Sequence, residues 1–107
     1  MSSVNRFLPI ELTSINAATF VIGAYKPINP LGFDEACKLV RIINRTKGTD
    51  IFISFDGTTD HDYLQYGQEM EINTIYYLGA RSGIKRLTKV FVRAAWGIGS
   101  VYLIGYY

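Results

Sequence analysis

The feature that most constrains this chain is a set of short apolar runs that alternate in polarity and are cut apart by turn residues. Between Leu39 and Leu64 the pattern is densest. Leu39 to Ile43 and Ile51 to Phe55 are β-branched and aromatic, and a polar segment holding Gly48 separates them. Ile51, Ile53 and Phe55 fall on one side of an extended chain, with Phe52 and Ser54 on the other. The second run ends in Asp56-Gly57, a dipeptide that favours a tight reversal, and a third short run follows at Tyr63 and Leu64. Read alone, this stretch predicts an antiparallel meander.

The same grammar extends both ways. Residues 1–5 read as a polar arm. Phe7, Leu8, Ile10 and Leu12 form a first strand, which Pro9 marks as an edge or a bulged one. Ser14 to Ala18 reads as a loop, and Thr19 to Tyr25 as a second strand buried on both faces. Pro27, Asn29, Pro30 and Gly32 break the chain. Residues 33–44 are ambiguous. Phe33, Ala36, Cys37 and Val40 have helical spacing, whereas Val40, Ile42 and Ile43 prefer strand. We expect a strand from Cys37 to Arg45, with at most a helical turn at Phe33 to Ala36. Glu69 to Thr74 alternates with Met70 and Ile72 inward. Lys89 to Ala94 alternates with Val90, Val92 and Ala94 on one face. Gly97 to Ser100 reads as a hairpin turn into a last strand, Val101 to Tyr107, paired with the strand before it and placed for a partner strand to add at an edge. The expectation is all-β: an antiparallel β-sandwich or jelly-roll-like barrel of about seven or eight short strands, with at most one short helix. Residues 1–107 are expected to form a single domain.

Composition narrows the function. Charged residues are 19% of the chain, while aromatics are 14%, including 8 tyrosines. That is more apolar and amphipathic surface than one small core absorbs, and the surplus points to partner surfaces and a homo-oligomer. Net charge is +2, too mild to argue nucleic acid. The lone cysteine, Cys37, excludes an internal disulfide and reads as a buried thiol. No apolar run approaches a membrane span, and the start has no signal-peptide pattern.

Chemistry-bearing residues are sparse. Asp56, Asp60, His61 and Asp62 cluster, but without the ligand spacing of a calcium loop. Asp56, Gly57, Asp60 and His61 read as the turn that reverses the strand before them. His61 is the single histidine, and Ser54 lies in a strand rather than on a nucleophile elbow. The chain is therefore expected to be no enzyme, with no cofactor and no metal. The residues that stand out are aromatic: Tyr63, Tyr66, Tyr76, Tyr77, Trp96, Tyr106 and Tyr107 are the interface candidates.

At Arg41-Ile42-Ile43-Asn44, and again at Ile51-Phe52-Ile53-Ser54-Phe55-Asp56-Gly57-Thr58-Thr59-Asp60-His61-Asp62-Tyr63-Leu64, the sequence resembles small structural proteins of tailed bacteriophages. The terminal Ser100 to Tyr107 strand, glycine-preceded and aromatic-ending, is similar to theirs as well. The resemblance implies a non-enzymatic virion component made in the host cytoplasm: a decoration, neck or collar, or tail accessory protein. Its partners would be capsid, portal or neck, or tail subunits. The alternative is a small carbohydrate-binding module that stacks sugars on its exposed tyrosines and Trp96.

Overall fold

The computed structural model describes residues 10–21, 23–73 and 84–107. Eight strands lie there: β1 Ile10–Asn16, β2 Lys26–Pro27, β3 Leu39–Thr46, β4 Ile51–Ser54, β5 Asp62–Leu64, β6 Glu69–Asn73, β7 Phe91–Arg93 and β8 Gly99–Tyr106. The helical content among them is one 3₁₀ turn, Ala17–Thr19. Two antiparallel sheets result, ordered β1-β8-β3-β6 and β2-β7-β4-β5. The first strand pairs with the last, the second with the seventh, the third with the sixth and the fourth with the fifth. This nested order is a jelly-roll sandwich.

Alternation sets which residues meet between the sheets. In β3, Val40, Ile42, Asn44 and Thr46 are buried, while Leu39, Arg41, Ile43 and Arg45 turn outward. Val101 and Leu103 of β8 join them. From the other sheet come Ile51, Ile53, Leu64, Val90 and Val92. Burying each aliphatic side chain contributes about 1.5–3 kcal/mol. Phe20 and Ala17 close one end of this core, and Ile28, Phe33 and Cys37 close the other.

Several sequence expectations are corrected. The stretch from Leu39 to Leu64 is not a meander: β3 and β4 lie in different sheets, and only β4 and β5 form a hairpin. Nor does the last strand pair with the one before it. β8 sits between β1 and β3, in the middle of its sheet, and the Gly97 to Ser100 segment crosses between sheets. Local turn signals record that the chain reverses, not which sheet it returns to.

Thr19 to Tyr25 is not a strand. A two-layer sandwich gives each strand one wet face, so a run apolar on both sides has no place in it. Phe20 plugs the end of the core, and Val21 is exposed. Ser14 to Asn16 continue β1 instead of looping, since their polar side chains are the outward positions of that strand. At Phe33 to Ala36 there is no helical turn. The backbone of Phe33 bonds to a distant segment, accepting from the Leu87 amide at 2.8 Å and donating to the Thr88 carbonyl at 3.3 Å. The strand that follows begins at Leu39 and not at Cys37. Ser54 is buried, although alternation would turn it outward. Phe7 and Leu8 of the expected first strand, Ile22 of the expected second, and the interface candidates Tyr76 and Tyr77 lie outside the described residues.

Gly105 shows how tightly β8 is inserted. A Cβ there would lie 2.8 Å from Cys37 Sγ and 2.9 Å from a ring carbon of Phe33. Gly105→Ala should therefore destabilise the fold by about 1–3 kcal/mol through overpacking, seen as a lower urea midpoint with an unchanged slope.

Candidate interaction surface

Four connections meet at one end of the sandwich: β1–β2, β3–β4, β5–β6 and β7–β8. Asn44, a polar residue on the core face of β3, ties two of them together, β3–β4 and β5–β6. Its amide nitrogen donates to the carbonyls of Thr49 (2.8 Å) and Leu64 (3.1 Å). Its side-chain oxygen accepts from the backbone and hydroxyl of Thr46 at 3.1 and 2.6 Å. Around this hub, Gly97 N–H reaches the Ala17 carbonyl and Lys47 N–H reaches that of Ile98. The Tyr66 amide donates to the Asp50 carboxylate at 3.1 Å. Gly97 is required here, because a Cβ would sit 2.2 Å from the Thr49 hydroxyl. The result is a braced tip from which Trp96, 61% exposed, Tyr66, Ile98 and Val21 project. Large aromatics held on rigid loops are the residues that dominate binding energy at interfaces.

The outer face of the β2-β7-β4-β5 sheet carries a cross-strand row. Phe52 stands opposite Tyr63 on one side and Arg93 on the other. The two rings meet edge-on with centroids 5.2 Å apart, and the Arg93 guanidinium lies 4.4 Å above the Phe52 centroid. Arg93 also grips Asp60 with two hydrogen bonds, at 2.9 and 2.6 Å, and the Tyr25 hydroxyl donates to the same carboxylate. Arg93 and then Tyr25 hold the Asp60 carboxyl down at about 2. At the far end of the row the Tyr63 hydroxyl donates to Asp50.

The β4–β5 turn explains the acidic cluster. Asp56 Oδ1 accepts from the amides of Thr58 and Thr59, both at 2.8 Å, and from the Ser54 hydroxyl. The Thr59 and Thr58 amides come first among the groups that depress the Asp56 carboxyl below the usual range. His61 Nδ1 accepts from the Phe55 amide at 3.0 Å. Gly57 has φ of 84°, the left-handed conformation this turn needs. Among the described residues, no three acidic, histidine or cysteine side chains are placed to hold a metal ion. Cys37 is fully buried, and burial pushes its thiol up to about 12.

The opposite face, outside the β1-β8-β3-β6 sheet, mixes an apolar group on β1, β8 and β3 with charges, Arg41 of β3 and Glu69 and Glu71 of β6. Leu12 stands beside Ile104, and Ile43 beside Tyr102; Leu39 and Tyr106 form the next row. Leu12 is 63% exposed and Tyr102 36%. Arg41 stands between Leu39 and Ile43 and opposite Ile104; it pairs with Glu69 at 2.5 Å and donates to the Tyr106 hydroxyl at 3.3 Å. At the far end of the molecule, Leu31 and Leu87 are also exposed.

The interface candidates thus divide. Tyr63 lies on one sheet face, Tyr66 and Trp96 at the tip, and Tyr106 on the other sheet face. Tyr107 packs against the core, with its hydroxyl donating to Glu11. The aliphatic part of the outer face escaped the sequence reading. Its signal was present as adjacent apolar pairs inside strands, Leu39-Val40, Ile42-Ile43 and Leu103-Ile104, since neighbours in a strand point to opposite faces.

No protein-family model matches the chain, and no curated protein matches it. Among solved structures, one described as "Bacillus endospore appendages form a novel family of disulfide-linked pili" is similar over 99% of this chain and 93% of that one, with 9% identity and a TM-score of 0.45.

Two outcomes test the braced elements. Asn44→Ala leaves the carbonyls of Thr49 and Leu64 short of a donor and should cost about 1–3 kcal/mol in a chemical denaturation curve. The Asp56 and Asp60 carboxyls are both depressed in the folded state. Their stabilisation should be complete above about pH 4, the range of a free aspartate, and be lost as pH falls through the folded values. Melting temperature followed from pH 5 to pH 2 should fall, and less steeply in Asp60→Asn.

Proposed function

We propose that this chain is a non-enzymatic structural subunit that binds copies of itself and neighbouring proteins through its outward apolar and aromatic surfaces. The observation that carries this reading is the outer face of the β1-β8-β3-β6 sheet, where Leu12, Leu39, Ile43, Tyr102, Ile104 and Tyr106 share one side. A sandwich sheet facing water needs no aliphatic residues on its wet side. An apolar group of this size around a single cation, Arg41, supports a surface that another protein covers. The braced tip with Trp96 and Tyr66 supplies a second contact of the anchoring kind.

The setting we infer is the virion of a tailed phage, with capsid, neck or tail subunits as partners. The sequence resemblance at Arg41 to Asn44 and Ile51 to Leu64 supports it. So does the jelly-roll topology, used by many capsid domains, although the fold also serves lectins. Many identical copies would turn modest patch affinities into stable incorporation. Mass spectrometry of purified particles tests the setting: the chain should be present at a fixed copy number. A strict monomer that never accompanies a particle overturns the reading. A glycan-binding role would instead show as a change in Trp96 fluorescence with sugars and its loss in Trp96→Ala.

Sedimentation velocity gives the second check. Ile104→Lys sets a second cation beside Arg41 in the middle of the apolar group and should weaken self-association at least about tenfold, about 1.4 kcal/mol, with little change in the unfolding midpoint.

A further inference from the structure

We propose that two copies of this chain pair along β1, joining their sheets edge to edge across a two-fold axis. This rests on the assembly reading above and names the edge through which self-association runs.

The argument is one of elimination by chemistry. A two-sheet sandwich has four edges, here β1 and β6 in one sheet, β2 and β5 in the other. Exposed edges invite pairing, and proteins blunt them with short strands, proline or charge. Three of these edges are blunted. β2 has two residues and ends in Pro27, which has no N–H to give. β5 has three residues and opens on the exposed Asp62. β6 turns Glu69 and Glu71 outward, both exposed, so a second copy paired there would set glutamate against glutamate.

The described span of β1, Ile10–Asn16, carries none of these devices on its outward side: it is seven residues long and contains no proline, and Pro9 stands just before it. Its outward residues, Leu12, Ser14 and Asn16, are uncharged and exposed. Among the described residues its strand partner is β8 alone. The single charge in β1, Glu11, is used within the molecule: it accepts from the Tyr107 hydroxyl and from the Asp34 amide at 3.0 Å. The strand is also fixed in place, because the Thr13 hydroxyl donates to the Ile28 carbonyl at 3.1 Å. Pairing two rigid strands costs less ordering than capturing a loose one.

Geometry favours a second copy as the occupant. Antiparallel β1–β1 pairing is self-complementary about a two-fold axis, as an isologous interface must be. It would run the sheet continuously through both copies, as β6-β3-β8-β1-β1-β8-β3-β6. Leu12 lies beside Ile104, so the seam would also join the two outer apolar patches into one surface. The charged β6 edges would be left on the outside, where self-pairing is opposed.

The test is sedimentation velocity on the full chain and three variants: Ser14→Lys, Ser14→Glu and Ile104→Lys. Ser14 is exposed, so its substitutions leave the core intact. Each Ser14 variant alone should lose at least about tenfold in association, since both copies would bring the same charge to the shared seam. An equimolar mixture of Ser14→Lys and Ser14→Glu should recover a dimer. Amides of Leu12 to Asn16 should gain hydrogen-exchange protection as wild-type concentration rises. Wild-type association in both Ser14 variants overturns edge pairing. If Ile104→Lys alone dissociates, the edge proposal falls and the assembly reading stands. A wild-type chain that stays monomeric at every concentration overturns both.

Discussion

The structure depends on one strand being threaded between two others. β8 runs for eight residues between β1 and β3, and it pairs with both along nearly its whole length. Without it, β1 would have no sheet partner and β3 would be left with β6 alone. Its inward residues Val101 and Leu103 fill the middle of the core, and Gly105 lets the chain pass over Phe33 and Cys37. A segment rich in aliphatic and aromatic residues is suited to this position, since both its edges and one of its faces must be satisfied at once.

The fold class was legible in the sequence because it depends on local period. Val40, Ile42 and Asn44, or Val90, Val92 and Ala94, alternate as half-buried strands must, and the structure buries them. Pairing was not legible. Whether β3 returns to β4 or crosses to the other sheet is decided by the twist and packing of two layers, and turn residues look alike in both cases. The segment from Thr19 to Tyr25 failed for a related reason. Its apolar residues are selected to cap the core end, a role with no period of its own. In the acidic turn the chemistry is local: Asp56, Gly57 and Ser54 satisfy one another within four residues.

The surfaces available for binding follow from how the core was built. Asn44 places a polar group among aliphatic neighbours, and its side-chain hydrogen bonds tie the β3–β4 connection to the end of β5. The tip that carries Trp96 and Tyr66 is therefore preorganised, and a partner would lose little entropy in holding it. On the two sheet faces the contrast is in saturation. The Tyr25–Arg93–Phe52–Tyr63 row has its charges and hydroxyls already paired, whereas Leu12 and Tyr102 on the opposite face have only water to meet.

The nested strand order also bears on how such a chain finds its fold. Only β4 and β5 are close in sequence; every other pair encloses the one before it, out to β1 with β8. Closing the outermost pair first would tie off almost the whole chain in one loop. Once the β4–β5 hairpin exists, each further pair closes only the short stretch left between it and the pair inside. Winding outward from the hairpin is the inexpensive route, and it brings the inserted strand into place last.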